Sequence, residues 1–263
     1  MGESVSRPLA LVTGASSGIG LELARVFKDE GYDLVLCAED DALESAADEL
    51  SVDGEVRTIR LDLRRPEAVD NLCESLHASG RPVDVAALNA GVGQGEAFID
   101  NDLADVQSII DLNITSTVRL MHRLLPDMVE RNDGKILVTS SIASTMPGSF
   151  QAVYNASKSF VQSFTEAVQD EIKDTEVVIT SLMPGPTDTE FFHRAGMDDT
   201  PVGKSGKDDP ARVARQGYEA LMAGKRKIVA GSMSTKAQEA VAGVLPDRVK
   251  AAAHRKMAEP ESE

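Results

Sequence analysis

Seven short apolar runs, separated by helix-length amphipathic stretches, leave this chain few folds to choose from. Leu9–Thr13, Asp33–Cys37, Val56–Asp62, Val83–Asn89, Lys135–Thr139, Val177–Leu182 and Lys227–Ala230 read as strands. Several are nearly continuous in Val, Ile and Leu, the pattern of strands covered on both faces of a parallel sheet. Between them, Ile19, Leu23, Val26 and Phe27 share one helix face, with Gly31 where a C-terminal cap belongs. Val161, Phe164, Val168 and Ile172 make a second such face. Regular alternation of strand and helix predicts an α/β, doubly wound fold: a seven-stranded, mostly parallel sheet with helices on both faces. No repeat or long linker divides the chain, so residues 1–257 are read as a single domain and 258–263 as a disordered tail. Residues 190–210 break the rhythm with Gly, Asp, Thr, Pro201 and Pro210, as expected of a segment covering a substrate site.

A chain of 263 residues hides roughly 70–75% of its unfolded surface, enough for a large core. Its net charge of −16 argues against a nucleic-acid partner and against anionic membrane surfaces. Met1–Pro8 is polar without an apolar signal core, and no run of about 18 apolar residues exists, so a cytoplasmic protein with no membrane partner is expected. Cys37 sits in an apolar run and reads as a small buried residue. Neither it nor Cys73 belongs to a Cys/His ligand cluster, so no metal is expected.

The first strand runs into Thr13-Gly14-Ala15-Ser16-Ser17-Gly18-Ile19-Gly20 and then into a helix. Gly14 permits a tight turn, Gly18 lets backbone approach a pyrophosphate, and Gly20 allows close helix–sheet packing. The helix N-terminus then offers free N–H groups to the anion. Together these features predict a single Rossmann-type dinucleotide-binding domain. The glycine spacing is G-x3-G-x-G, which differs from the G-x-G-x-x-G fingerprint.

In that spacing the loop resembles the cofactor loop of the short-chain dehydrogenase/reductase family. Asn89-Ala90-Gly91, Asn113, Ser140-Ser141, Tyr154-x-x-x-Lys158 and Pro184-Gly185 resemble the family's further blocks, in the same order, over residues 7–231. The resemblance implies a catalytic set of Asn113, Ser141, Tyr154 and Lys158. In it Ser141 holds the substrate oxygen and Asn113 holds a water linking Lys158 to solvent. It implies cofactor contacts from Gly14, Ser16, Ser17, Gly18, Ile19 and Gly20, and from Asp62-Leu63 beside the adenine. Asn89, Ala90 and Gly91 follow, then Tyr154 and Lys158, the latter at the nicotinamide ribose. Pro184, Gly185, Thr187 and Thr189 complete the set near the nicotinamide amide. A homodimer or homotetramer is implied as well.

The chemistry at Tyr154 can be put in numbers. A phenol titrates near ~10, and lowering that by about three units takes roughly 4 kcal/mol. A cation about 4 Å away, at an effective dielectric near ~20, supplies that much, and Lys158 is read as that cation. Tyr154 is then the acid/base of an NAD(P)-dependent oxidoreductase interconverting a secondary alcohol and a carbonyl compound. The alternative is a non-catalytic dinucleotide-binding sensor or scaffold protein. The second strand ends Cys37-Ala38-Glu39-Asp40, with no basic residue at Ser17, Glu39 or Asp40. A carboxylate such as Glu39 repels a 2′-phosphate and accepts from a free 2′-hydroxyl, so NAD(H) is favoured, with NADP(H) possible. Phe191, Phe192, His193 and Met197 on the cover, with Met146 and Phe150 after Ser141, point to a partly apolar small-molecule alcohol or carbonyl substrate.

Overall fold

Parallel neighbours require crossovers long enough to hold a helix, and the chain supplies one after nearly every strand. The computed structural model describes residues 7–52, 54–242 and 245–260. The strands are β1 (Leu9–Thr13), β2 (Asp33–Ala38), β3 (Val56–Arg60), β4 (Val85–Leu88), β5 (Lys135–Thr139), β6 (Val178–Pro184) and β7 (Lys227–Ala230). They form one sheet in the order β3-β2-β1-β4-β5-β6-β7, with every pairing parallel. Winding reverses between β1 and β4, which opens a crevice at the carboxyl ends of those strands.

The first helices are α1 (Gly18–Asp29), α2 (Ala42–Leu50), α3 (Pro66–Ala78), α4 (Leu103–Ile109), α5 (Thr117–Glu130) and α6 (Ala152–Glu171). Those after β6 are α7 (Phe191–Arg194), α8 (Pro201–Lys204), α9 (Pro210–Met222), α10 (Met233–Ala242) and α11 (Asp247–Ala258). Alternate strand residues feed two cores, as the two-residue period of a strand requires. Leu9 and Leu11 of β1 join the core closed by Leu72 of α3, Leu120 of α5 and Val161 of α6. Ala10 and Val12 join the one closed by Phe27 of α1, Leu43 of α2 and Val213 of α9. Gly31, at φ 86°, ends α1 in a left-handed turn: its N–H donates to the Lys28 carbonyl and that of Tyr32 to the Phe27 carbonyl. Cys37 is fully buried, which pushes its thiol up to about 12.

Three features differ from the expectation. The 190–210 segment is not wholly irregular, since it folds into the four-residue helices α7 and α8. The tail does not begin at residue 258: Ala258 closes α11 and is buried against the cluster of Phe192, Ala195 and Met197. Residues 261–263 of the expected tail, and residues 1–6 of the polar leader, lie outside the described residues. Between α4 and α5 the helix widens into a π-helical stretch, Ile110–Ser116, which carries Asn113. Such an extra residue turns side chains inward and is frequent at functional sites. No helix among the described residues is long and apolar enough to cross a membrane.

Candidate active site

At the carboxyl edge of the sheet the ends of β1, β4, β5 and β6 line a cavity of about 800 Å³. Thr13 ties the first two together. Its hydroxyl accepts from the Asn89 and Ala90 N–H groups at 2.9 and 3.1 Å, while Asn89 Oδ1 accepts from Thr139 Oγ1 at 3.1 Å. Gly14 and Gly18 hold φ of 65° and 57°, open to glycine and strained for other residues. A Cβ on Gly20 would stand 1.9 Å from the Gly14 carbonyl oxygen, so no larger residue fits that turn. Ser17 precedes α1 without capping it through its side chain, which leaves the first N–H groups of the helix to an anion. The loop therefore fits a pyrophosphate.

Most of the residues singled out in the sequence meet at this cavity. Gly14, Ser16, Ser17, Gly18 and Ile19 line one end, and Glu39, Asp62 and Leu63 flank it. Asn89, Ala90, Gly91, Pro184, Gly185, Thr187 and Thr189 form the middle, and Ser141, Tyr154 and Lys158 the far wall. Gly20 and Asn113 stand behind the wall. Asn113 is almost fully buried; its Oδ1 accepts from the Val92 N–H, and its Nδ2 donates to the Val92 carbonyl and to Ser157 Oγ, each at 2.9 Å. It clamps the loop after β4. Thr187 turns its hydroxyl to the Gly185 carbonyl at 2.9 Å, and Thr189 abuts Gly18. Of the expected substrate contacts, Phe191, Phe192 and Met146 line the cavity. His193 instead faces solvent, 2.7 Å from Asp198, while Met197 is packed in the core behind the cover and Phe150 stands outside the cavity.

Tyr154 and Lys158 lie one turn apart at the start of α6, with Lys158 Nζ 5.9 Å from the centre of the Tyr154 ring. Lys158 is buried and donates to the Thr139 carbonyl at 2.9 Å. Ser141, just past β5, accepts from the Ala143 N–H at 3.1 Å and points to the Pro184 carbonyl. Its neighbour Ser140 turns away, toward the Lys158 carbonyl.

The electrostatics correct the sequence reading. Burial pushes the Tyr154 phenol up to about 12, and only the neighbouring Ser141 hydroxyl works against it. Burial pushes Lys158 down to about 8. Burial is the leading cause of both shifts, and attraction between the two groups is not among the causes of either. Tyr154 is therefore held as a neutral phenol.

At the Glu39–Asp62 end of the cavity the structure adds one side chain, Arg64, that the sequence does not single out, and gives Asp40 a partner. Arg64 reaches back from the end of β3 to pair with both Glu39 and Asp62, and Asp40 accepts from Ser16 Oγ at 2.9 Å. The only sequence signal for Arg64 is its place directly after Asp62-Leu63. What it pairs with depends on the β2–β3 register.

The comparisons agree with this geometry. The family model for short chain dehydrogenases matches residues 8–199. Sulfoacetaldehyde reductase 2 of Chromohalobacter salexigens is 37% identical over 186 residues, covering 70% of this chain and 74% of its own. The NADP-dependent 3-hydroxy acid dehydrogenase of Salmonella typhi is 33% identical over 217 residues, 81% of this chain and 87% of its own. Among solved structures, a short-chain dehydrogenase from Sphingobium yanoikuyae in complex with NADPH superposes with a TM-score of 0.79 at 27% identity. That match covers 84% of this chain and 87% of the other. A Burkholderia phymatum member in complex with NAD shares the fold over 100% of both chains, with a TM-score of 0.82 at 24% identity. With the sheet, the glycine loop and the relatives in agreement, the chain belongs to the short-chain dehydrogenase/reductase family of oxidoreductases.

Proposed function

We propose that this protein interconverts a secondary alcohol and a carbonyl compound with Tyr154 as the acid/base. The convergence of Ser141, Tyr154 and Lys158 on one cavity wall, opposite a glycine loop built for a pyrophosphate, carries this reading. Ser141 holds the substrate oxygen beside the phenol. Tyr154, kept protonated by burial, donates its proton to that oxygen in the reducing direction. Lys158 stabilises the phenolate that this leaves, at a distance set by its bond to the Thr139 carbonyl. Asn113 positions Val92 and the loop around it. A bound nicotinamide supplies or accepts the hydride.

NAD(H) is the favoured cofactor, on the carboxylates Glu39 and Asp40 at the end of β2. Arg64 is already committed to Glu39 and Asp62, which keeps it from meeting a 2′-phosphate. NADP(H) is the competing choice, as the name of the Salmonella relative indicates. The relative named for 3-hydroxy acids supports a short, polar carbonyl compound as substrate, and the one named for sulfoacetaldehyde brings aldehydes into the panel that tests it.

A panel of short aldehydes, ketones and keto acids, followed at the nicotinamide absorbance with NADH and NADPH, tests the reading. Tyr154→Phe is expected to lose at least ~100-fold in kcat/KM while still binding the dinucleotide. Turnover within tenfold of the parent would refute Tyr154 as acid/base, whereas a parent that binds dinucleotide and turns over nothing would favour a sensor or scaffold. A preference for NADPH above tenfold would overturn the cofactor choice.

A further inference from the structure

Helix α11 supplies a wall of the cavity that holds Ser141 and Tyr154, through His254 and Met257. The helix is fixed to the segment following Ser141. Lys250 Nζ donates to the Thr145 carbonyl at 3.2 Å, and Ser149 Oγ donates to the Ala251 carbonyl at 3.3 Å. His254 completes the attachment: its Nδ1 lies 2.9 Å from the Ser149 carbonyl oxygen. A carbonyl can only accept, so Nδ1 carries the ring proton. The ring is 6% exposed, and burial lowers its pKa below the ordinary value, so the imidazole is neutral. In that tautomer Nε2 is a bare acceptor, and among the described residues it has no hydrogen-bond partner.

The backbone that presents the Ser149 carbonyl is itself unusual. Phe150 holds φ at 64°, a left-handed conformation rare outside glycine and asparagine. One tertiary and one local bond hold it there: the Phe150 carbonyl accepts from the Glu96 N–H at 2.8 Å, and within the turn the Gln151 N–H donates to the Gly148 carbonyl at 3.1 Å. Strain maintained in this way clusters where a site needs one geometry. Here it sits next to the carbonyl that fixes the tautomer of an imidazole lining the cavity.

We propose that His254 is a specificity residue whose Nε2 accepts a hydrogen bond from a donor group of the substrate, a hydroxyl or an ammonium, on a carbon other than the reacting one. The proposal rests on the alcohol–carbonyl reading of the site. It adds that the substrate carries a second polar group, that this group donates, and that its place is the wall formed by α11. A carboxylate or sulfonate, the second group of the compounds that name two of the relatives, would meet a lone pair at that wall, so on this point the chain's preference parts from theirs.

Three ketones of one shape test it: butan-2-one, hydroxyacetone and aminoacetone, which differ only in a methyl, hydroxyl or ammonium at one end. 4-Hydroxybutan-2-one and pentan-2-one extend the comparison by one carbon. In His254→Phe, kcat/KM for a donor-bearing ketone is expected to fall roughly five- to tenfold further than for its plain counterpart, the size of one hydrogen bond. His254→Gln, which keeps an acceptor, should recover part of that difference. The hydroxyl and ammonium arms separate the two donors. An equal fall across the whole series would overturn the proposal and leave His254 a packing residue. If wild type turns over none of these ketones with either cofactor, the proposed alcohol–carbonyl reaction fails for this series on its own, and binding decides the question for His254. The nitrogen-15 shift of His254 Nε2 should then move with hydroxyacetone or aminoacetone in the presence of dinucleotide, and not with butan-2-one. No movement with either donor would overturn it.

Discussion

Replacing Asn113 by Ala removes a clamp whose cost can be worked from its bonds. Three contacts at 2.9 Å are lost: two to the Val92 backbone and one to Ser157 Oγ. At about 1 kcal/mol for each buried, neutral hydrogen bond, the fold loses about 3 kcal/mol. For a domain of this size each kcal/mol lowers Tm by about 2–4 °C, so a fall of roughly 6–12 °C is expected. Asn113→Asp keeps acceptance from the Val92 N–H and loses both donations, so it should cost at least about 2 kcal/mol. Val92 and Gly91 line the cavity, so both variants should also lose kcat/KM. Urea unfolding followed by circular dichroism, with a thermal melt alongside, measures the stability. A loss below about 0.5 kcal/mol in Asn113→Ala would refute the clamp, because net hydrogen-bond contributions that small would mean that Val92 finds other partners at no cost.

Two further outcomes follow from the geometry. Gly20→Ala places a Cβ 1.9 Å from the Gly14 carbonyl oxygen and 2.6 Å from Asn89 Nδ2, so the backbone of the loop must move. A stability loss of about 1–3 kcal/mol and at least ~tenfold weaker dinucleotide binding are expected, read by thermal melts and fluorescence titration; unchanged affinity would contradict the fit to a pyrophosphate. The second concerns pH: Tyr154, raised to about 12, keeps its proton through the neutral and mildly alkaline range, while Lys158, lowered to about 8, loses its charge first. Carbonyl reduction should therefore hold a level kcat/KM below about pH 8 and decline above it. The same shift makes Lys158 destabilise the fold at neutral pH, with relief as pH rises from about 8 to its ordinary range near 10.5. A reduction rate that climbs through pH 9 would contradict this order of titration.

Strands were the most legible part of the chain, because runs such as Leu9–Thr13 and Lys135–Thr139 are apolar on both faces and end at polar turns. Strand boundaries differ from the pattern where an aspartate side chain takes up a nearby backbone N–H. Asp62 lies past β3, its carboxylate accepting from the Arg64 N–H at 3.0 Å, and Asp84 lies just before β4, its carboxylate accepting from the Leu9 N–H at 2.7 Å. Helices α7 and α8, four residues each, are too short to show a period. In α11 only His254 and Ala258 are buried, so no apolar stripe marks the helix that walls the cavity. Spacing brought Tyr154 and Lys158 together correctly, yet it carries no information on burial, and burial decides which way each of them titrates. Arg64 stayed hidden for a related reason, since its partner Glu39 is 25 residues away and comes near only through strand pairing.

The cavity gathers its walls from Gly14 near one end of the chain to His254 near the other. During synthesis the glycine loop and the Tyr154 helix leave the ribosome long before α11 does. Until α11 is made, the walls from Gly14 to Asp208 lack His254 and Met257, which bound the same cavity as Ser141 and Tyr154. A break in the chain ahead of Asp247, by premature termination or by a protease, would leave that space open while the residues of the glycine loop remain in the chain.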